Sequence, residues 1–150
     1  MIEKKLVELG IVLPAAATPA FQYVPVAIHE RLAFVSGQLP RSGEALVTGK
    51  VGVDVDLEQA REAARLCILQ GLACLKQALG SLERVEKVLK VTGFVASAPG
   101  FHQQPKVIDA ASELLVQVFG EAGRHARSAI GVAELPRNAA VEIELIVALR

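Results

Sequence analysis

Tryptophan is absent from this 150-residue chain, tyrosine occurs once, and aromatic residues together make up only 4%. Single-stranded nucleic acid stacks its bases on aromatic side chains, so such a platform is poorly supplied. A surplus of positive charge is missing as well. Sixteen Lys and Arg face 16 Asp and Glu, for a formal net charge of +0. Phosphate-backbone binding draws on a basic excess, and the two shortages together argue against nucleic acid as a partner. No apolar run is long enough to span a bilayer, which argues against a membrane partner. Cysteine is scarce too. Cys67 and Cys74 stand seven apart inside a helical pattern, which sets their Cα atoms about 10 Å apart, beyond disulfide reach. They read as small buried apolar residues. The histidines His29, His102 and His125 fall in separate segments without ligand spacing, so no metal is expected. There is no glycine-rich phosphate loop, and Ser36-Gly37-Gln38 lacks the flanking glycine of a nucleophile elbow, which argues against a serine hydrolase. No cofactor is expected.

What is present is globular. Hydrophobic residues make up 52% and charged residues 21%, enough for one domain over residues 1–150 with a real core. Mean hydropathy is +0.41, an excess that buried subunit interfaces would absorb. The stretch Ile11–Ala20 is apolar and rich in small residues, but Glu3 and Glu8 precede it and Pro14 interrupts it. It does not read as a secretory signal, and a cytoplasmic location is expected.

Hydrophobic periodicity orders the elements. Residues 2–9 form a short amphipathic helix stopped by Gly10, and Leu13–Ala20 is a connector. Gln22–Ile28 and Leu32–Ser36 read as strands joined at His29-Glu30-Arg31, and Ala45–Val47 as a short one. Asp56-Leu57-Glu58-Gln59 fits a capping box that opens a helix ending at Gly80. Its stripe of Ala60, Ala64, Cys67, Gly71, Cys74 and Ala78 is made only of small residues, which let a helix lie close on a sheet. Lys87–Ala98 reads as a strand. Pro105 suits the first turn of a helix that stops at Gly120. Ala126–Ala133 and Val141–Leu149 read as strands, the second with strict alternation. The order implies an α+β sandwich, two helices on one face of a mostly antiparallel sheet. The other face needs a cover, which oligomerisation would supply.

Two charges interrupt apolar strands. Arg127 lies in Ala-Arg-Ser-Ala-Ile-Gly-Val and Glu142 in Val-Glu-Ile-Glu-Leu-Ile-Val. A charge in such surroundings is edge-exposed, paired or functional. The two pair with each other structurally, or Arg127 binds a carboxylate through its planar fork while Glu142 handles protons or a water. Glu144, on the face of Glu142, reads as a salt-bridge partner. Arg65 reads as a solvated or interface charge.

At these residues the sequence resembles the RidA (YjgF) family of enamine/imine deaminases, formerly called L-PSP endoribonucleases. The resemblance rests on Val35-Ser36-Gly37-Gln38-Leu39-Pro40, on Phe94-Val95, on the helix from Pro105 to Phe119, and on Arg127-Ser128 followed by Leu135-Pro136 and Val141-Glu142-Ile143-Glu144. It covers roughly residues 19–149. Gly49-Lys50-Val51-Gly52, Ala63-Ala64-Arg65 and Gly123-Arg124-His125-Ala126-Arg127-Ser128-Ala129 resemble a longer subgroup. The resemblance implies a chorismate-mutase-like fold. It also implies a homotrimer whose sheets form a central barrel, with clefts between subunits. It assigns Arg127 to the substrate carboxylate, Glu142 to the attacking water, and Tyr23 and Ser36 to the pocket. The family's Cys two positions after the Arg is Ala129 here, and its Asn falls near Asp109 or Ala110. His125 shares a strand face with Arg127 at i, i+2 and is a candidate proton carrier in place of that Cys.

The activity so implied is hydrolysis of a 2-imino or enamine acid to a 2-keto acid and ammonia. The imine also hydrolyses unaided, so modest positioning suffices. A non-catalytic protein that binds or senses small carboxylates through Arg127 is the alternative. An endoribonuclease, the family's older label, is the weakest because charge and aromatics are short.

Overall fold

The computed structural model describes residues 1–150. A short helix, α1 (Ile2–Glu8), leads through the Pro/Ala connector to the hairpin of β1 (Val26–His29) and β2 (Leu32–Gln38). A two-residue pair, β3 (Arg41–Ser42) and β4 (Ala45–Leu46), precedes the long helix α2 (Leu57–Leu79). Then come β5 (Val85–Ala96), α3 (Gln104–Phe119), β6 (Ala126–Val132) and β7 (Val141–Leu149). Five strands form one sheet in the order β1-β2-β7-β5-β6. Only β5 and β6 run parallel, joined by the α3 crossover.

Local chemistry sets the ends of α2. The Asp56 carboxylate accepts from the Gln59 amide at 2.8 Å while the Gln59 side chain accepts from the Asp56 amide at 2.9 Å. Both halves of the capping box are thus formed. Gly80 closes the helix with φ at 83°. Proline enters α3 in its first turn, where its missing N–H costs nothing. The small stripe of α2 faces the sheet: a Cβ on Gly71 would stand 3.2 Å from Leu145 Cδ1 and 3.9 Å from Val35 Cγ1. Cys67 Sγ lies 3.7 Å from the Val141 carbonyl. Ala78 departs from the stripe and is exposed. Both cysteines are free and buried.

The core lies between the sheet and the helices α2 and α3, with Ile68, Leu72, Leu75, Ile108, Leu114, Leu115 and Ile143 fully enclosed. The two helices cover one sheet face as expected. The third, α1, docks beside them: Leu6 is buried, and Glu3 bonds Lys76 at 3.1 Å and the Leu82 amide at 3.2 Å. The first strand is shorter than Gln22–Ile28. Pro25 has no N–H to give to a ladder, and pairing begins at Val26. On the open sheet face stand Phe34, Ile146, Phe94 and Ile130, with Glu142, Glu144, Lys90 and Thr92 between them. Phe34 and Ile130 are exposed there.

Candidate functional site

The alternation of β7 turns Val141, Ile143 and Leu145 to the core and Glu142 to the open face. Gly37 in β2 makes room for it. A Cβ at that position would overlap Glu142 Oε1, so a side chain there would displace the carboxylate. Glu142 lines a cavity of about 410 Å³ with Tyr23, Gln38, Arg41, Arg137 and the connector around Phe21. Burial pushes its carboxyl above the ordinary range, and the negative charge of Glu144 adds to the rise. A carboxyl so placed exchanges a proton closer to neutrality than a solvated glutamate does.

A second cluster gathers on the other side of the sheet, where β6 meets α3. Arg127 Nη1 donates to Asp109 Oδ1 at 2.8 Å and to Ser112 Oγ at 3.1 Å, and Nη2 donates to the Pro105 carbonyl at 3.4 Å. His125 sits beside it. Its Nδ1 lies 2.6 Å from the Gly123 carbonyl, which only accepts, so Nδ1 carries the proton. Nε2 then accepts from the Ser112 hydroxyl at 2.9 Å. Burial holds the His125 pKa below its ordinary value, the Gly123 bond opposes this, and the Arg127 charge lowers it further. His125, Ser112, Arg127 and Arg124 share an open pocket.

The residues singled out in the sequence therefore fall into three places. Tyr23 and Glu142 meet in the cavity. Arg127 and His125 meet at the α3–β6 edge. Ser36 belongs to a shallow depression with Glu144 and Lys90, its hydroxyl donating to the Val24 carbonyl at 2.7 Å. Arg127 and Glu142 do not pair within one chain. Glu142 stands opposite Phe94 on β5, and Phe94 opposite Ile130 on β6. Arg127, three residues from Ile130, points to the opposite face. Its partner is Asp109. His125 precedes β6 and reaches Arg127 through Ser112, not along a strand face. No cation stands within 4 Å of Glu144, while Arg65 lies 3.6 Å from Glu62 on its own helix.

Ser112, Arg41 and Arg137 are not legible in the sequence as site residues, and Asp109 enters there only as a position near which the family's Asn falls. Asp109 and Ser112 stand three apart on α3, a spacing that puts both on one helix face. For Ser112 this spacing is the one available signal. Arg41 opens the short β3–β4 hairpin and Arg137 lies in a polar turn, places where an arginine ordinarily signifies nothing.

Comparison with known proteins gives a concordant result. A family model described as "YjgF/chorismate mutase-like, putative endoribonuclease" matches residues 3–149. Protein TCP17 of Trypanosoma cruzi is 45% identical over 150 residues, covering 99% of this chain and 94% of its own. The crystal structure of Atu1372 from Agrobacterium tumefaciens, a protein of unknown function, is 50% identical with a TM-score of 0.92, covering 99% of this chain and 92% of that one. A more distant structure, E. coli TdcF with bound serine, is 25% identical with a TM-score of 0.58, covering 92% and 93% of the two chains.

Proposed function

Because this chain belongs to the YjgF/RidA family, we propose that it is a hydrolase of 2-imino or enamine acids, working at a cleft shared by two subunits of a homotrimer. The observation that carries this reading is Glu142: a half-buried carboxyl with a raised pKa, fitted over Gly37 and facing a cavity with Tyr23. One chain holds its Arg127 too far round the sheet to serve that cavity. A neighbouring subunit laid against the open sheet face supplies the anchor. The serine bound by TdcF, a small amino acid, is a ligand of the right size and chemistry.

The substrate carboxylate docks on the Arg127 fork of one subunit. Glu142 of the other takes a proton from a water as its oxygen bonds to the imine carbon. The C=N double bond becomes a C–N single bond. The nitrogen takes up that proton to give a carbinolamine; its hydroxyl proton then passes by way of Glu142 to the nitrogen as the C–N bond breaks, so the C–O bond becomes the carbonyl of the 2-keto acid and ammonia leaves. His125 and Ser112 hold Arg127 in place, and Ser36 tethers the segment that carries Tyr23.

The Asp109 carboxylate already on Arg127 favours a second reading, a binding or sensing protein whose ligand displaces Asp109. An amino-acid oxidase that releases imine in situ separates the two. Faster imine loss with wild type supports the enzyme, and keto-acid binding without acceleration supports the sensor. Arg127→Ala is expected to weaken keto-acid binding at least tenfold, about 2–5 kcal/mol for a buried charge-assisted pair. Glu142→Gln is expected to keep binding and lose turnover. Unchanged affinity in Arg127→Ala, with a lowered melting temperature alone, overturns both readings.

A further inference from the structure

The cavity beside Glu142 holds more positive charge than a monocarboxylic substrate uses. Arg41 and Arg137 both line it. Neither has a carboxylate within 4 Å, although eight other ion pairs of lysine or arginine with Asp or Glu satisfy that distance. Glu142 occupies the same cavity and still reaches neither guanidinium.

The fold holds the backbone at both arginines; Arg41 is half-buried and Arg137 exposed at the cavity mouth. Arg41 pairs with Leu46 across the β3–β4 ladder, and its carbonyl accepts from the buried Gln70 of α2 at 3.4 Å. Its own side chain is left half-buried and unpartnered in the cavity wall. Arg137 sits in the turn before β7 with φ at 57°, followed by Asn138 at 59°. Two successive non-glycine residues in the left-handed region are strained. That turn is fixed by Asn138 N–H to the Leu135 carbonyl at 3.1 Å and Gly49 N–H to the Asn138 carbonyl at 2.9 Å.

We propose that Arg41 and Arg137 form a second anion site in this cavity, and that the substrate is a dicarboxylic 2-imino or 2-oxo acid. Its 1-carboxylate goes to Arg127 and its distal carboxylate to Arg41 and Arg137. This rests on the reading that the cavity takes a 2-oxo or 2-imino acid at all. The distal acid group makes charge-assisted bonds to guanidinium forks that no protein carboxylate occupies. The chain between the two acid groups lies along the Tyr23 and Pro136 walls.

Two probes of equal carbon count isolate the distal group: 2-oxoglutarate, and 2-oxopentanoate, which ends in a methyl. Titration calorimetry on the wild type is expected to give at least about tenfold tighter binding of 2-oxoglutarate. Raising the salt concentration is expected to narrow the gap, since the added contact is ionic. In Arg41→Gln, Arg137→Gln and the double variant the gap is expected to close. The affinity for 2-oxopentanoate and the melting temperature stay near wild type, because 2-oxopentanoate has no distal carboxylate and neither side chain has a partner in its own chain to lose. Equal or tighter binding of 2-oxopentanoate overturns the proposal, as does a preference that survives the double variant. Failure of both probes to bind, or binding indifferent to Arg127→Ala, overturns the keto-acid reading itself, a distinct result.

Discussion

Glu142 is worse off folded and charged than unfolded and charged. Burial and Glu144 both favour its protonated form. The folded chain therefore holds that proton at pH values where the unfolded chain has released it. Over the window from the ordinary carboxylate range up to the raised value, stability falls as pH rises. Glu142→Gln removes the penalty. Its melting temperature is expected to exceed that of wild type at pH 7, and the difference to vanish near pH 4, where the wild-type carboxyl is protonated as well. A variant no more stable at pH 7 would contradict this. His125 has the opposite sign. Its pKa is depressed, so its contribution is lost as pH falls through the ordinary histidine range. Arg127 and Glu142 were legible in the sequence because a charge inside an apolar strand needs an explanation. Arg41 and Arg137 were not, because an arginine in a short hairpin or a turn looks the same whether it is solvated or lines a cavity.

At the level of elements, Arg127 clamps α3 to β6. Asp109 and Ser112 reach from the helix to Arg127 at the start of the strand. Asp109 occupies the same guanidinium that the proposed substrate carboxylate needs. Asp109→Asn keeps a hydrogen-bonding partner and removes the competing charge. Because Asp109 is 50% exposed, the gain is modest, and keto-acid affinity is expected to rise about three- to tenfold, roughly 1 kcal/mol. Weaker binding in Asp109→Asn would mean that the carboxylate orients the fork instead of competing for it. Element boundaries were readable where a local interaction sets them: the capping box at Asp56, the stop at Gly80, the alternation of β7. They were misread where tertiary pairing decides, as at Gln22–Val24, which reads as a strand but lies outside the ladder. The Arg127–Asp109 pair spans 18 residues and two elements, and no sequence period announces it.

At the scale of the molecule, the sheet has one face packed under helices and one carrying Phe34, Phe94, Ile130 and Ile146. Two of these are exposed in the single chain. Apolar residues on a bare sheet face need a partner surface. Light scattering at micromolar concentration is expected to give about three times the 15.9 kDa chain mass, and a monomeric mass would overturn the shared cleft. The α+β architecture followed from the order of elements. The central position of the last strand did not. β7 lies third in the five-strand order, with the β1–β2 hairpin on one side and the β5–β6 pair on the other. During synthesis the two halves of the sheet emerge first, without the strand that joins their ladders. Each waits with a bare strand edge, β2 on one half and β5 on the other, until the final strand leaves the ribosome and slides between them. Unprotected edges of this kind invite pairing with other chains. A nascent chain stalled before Val141 is therefore two sticky fragments of a sheet, and the residue that would activate the water arrives in the same stroke that closes the fold.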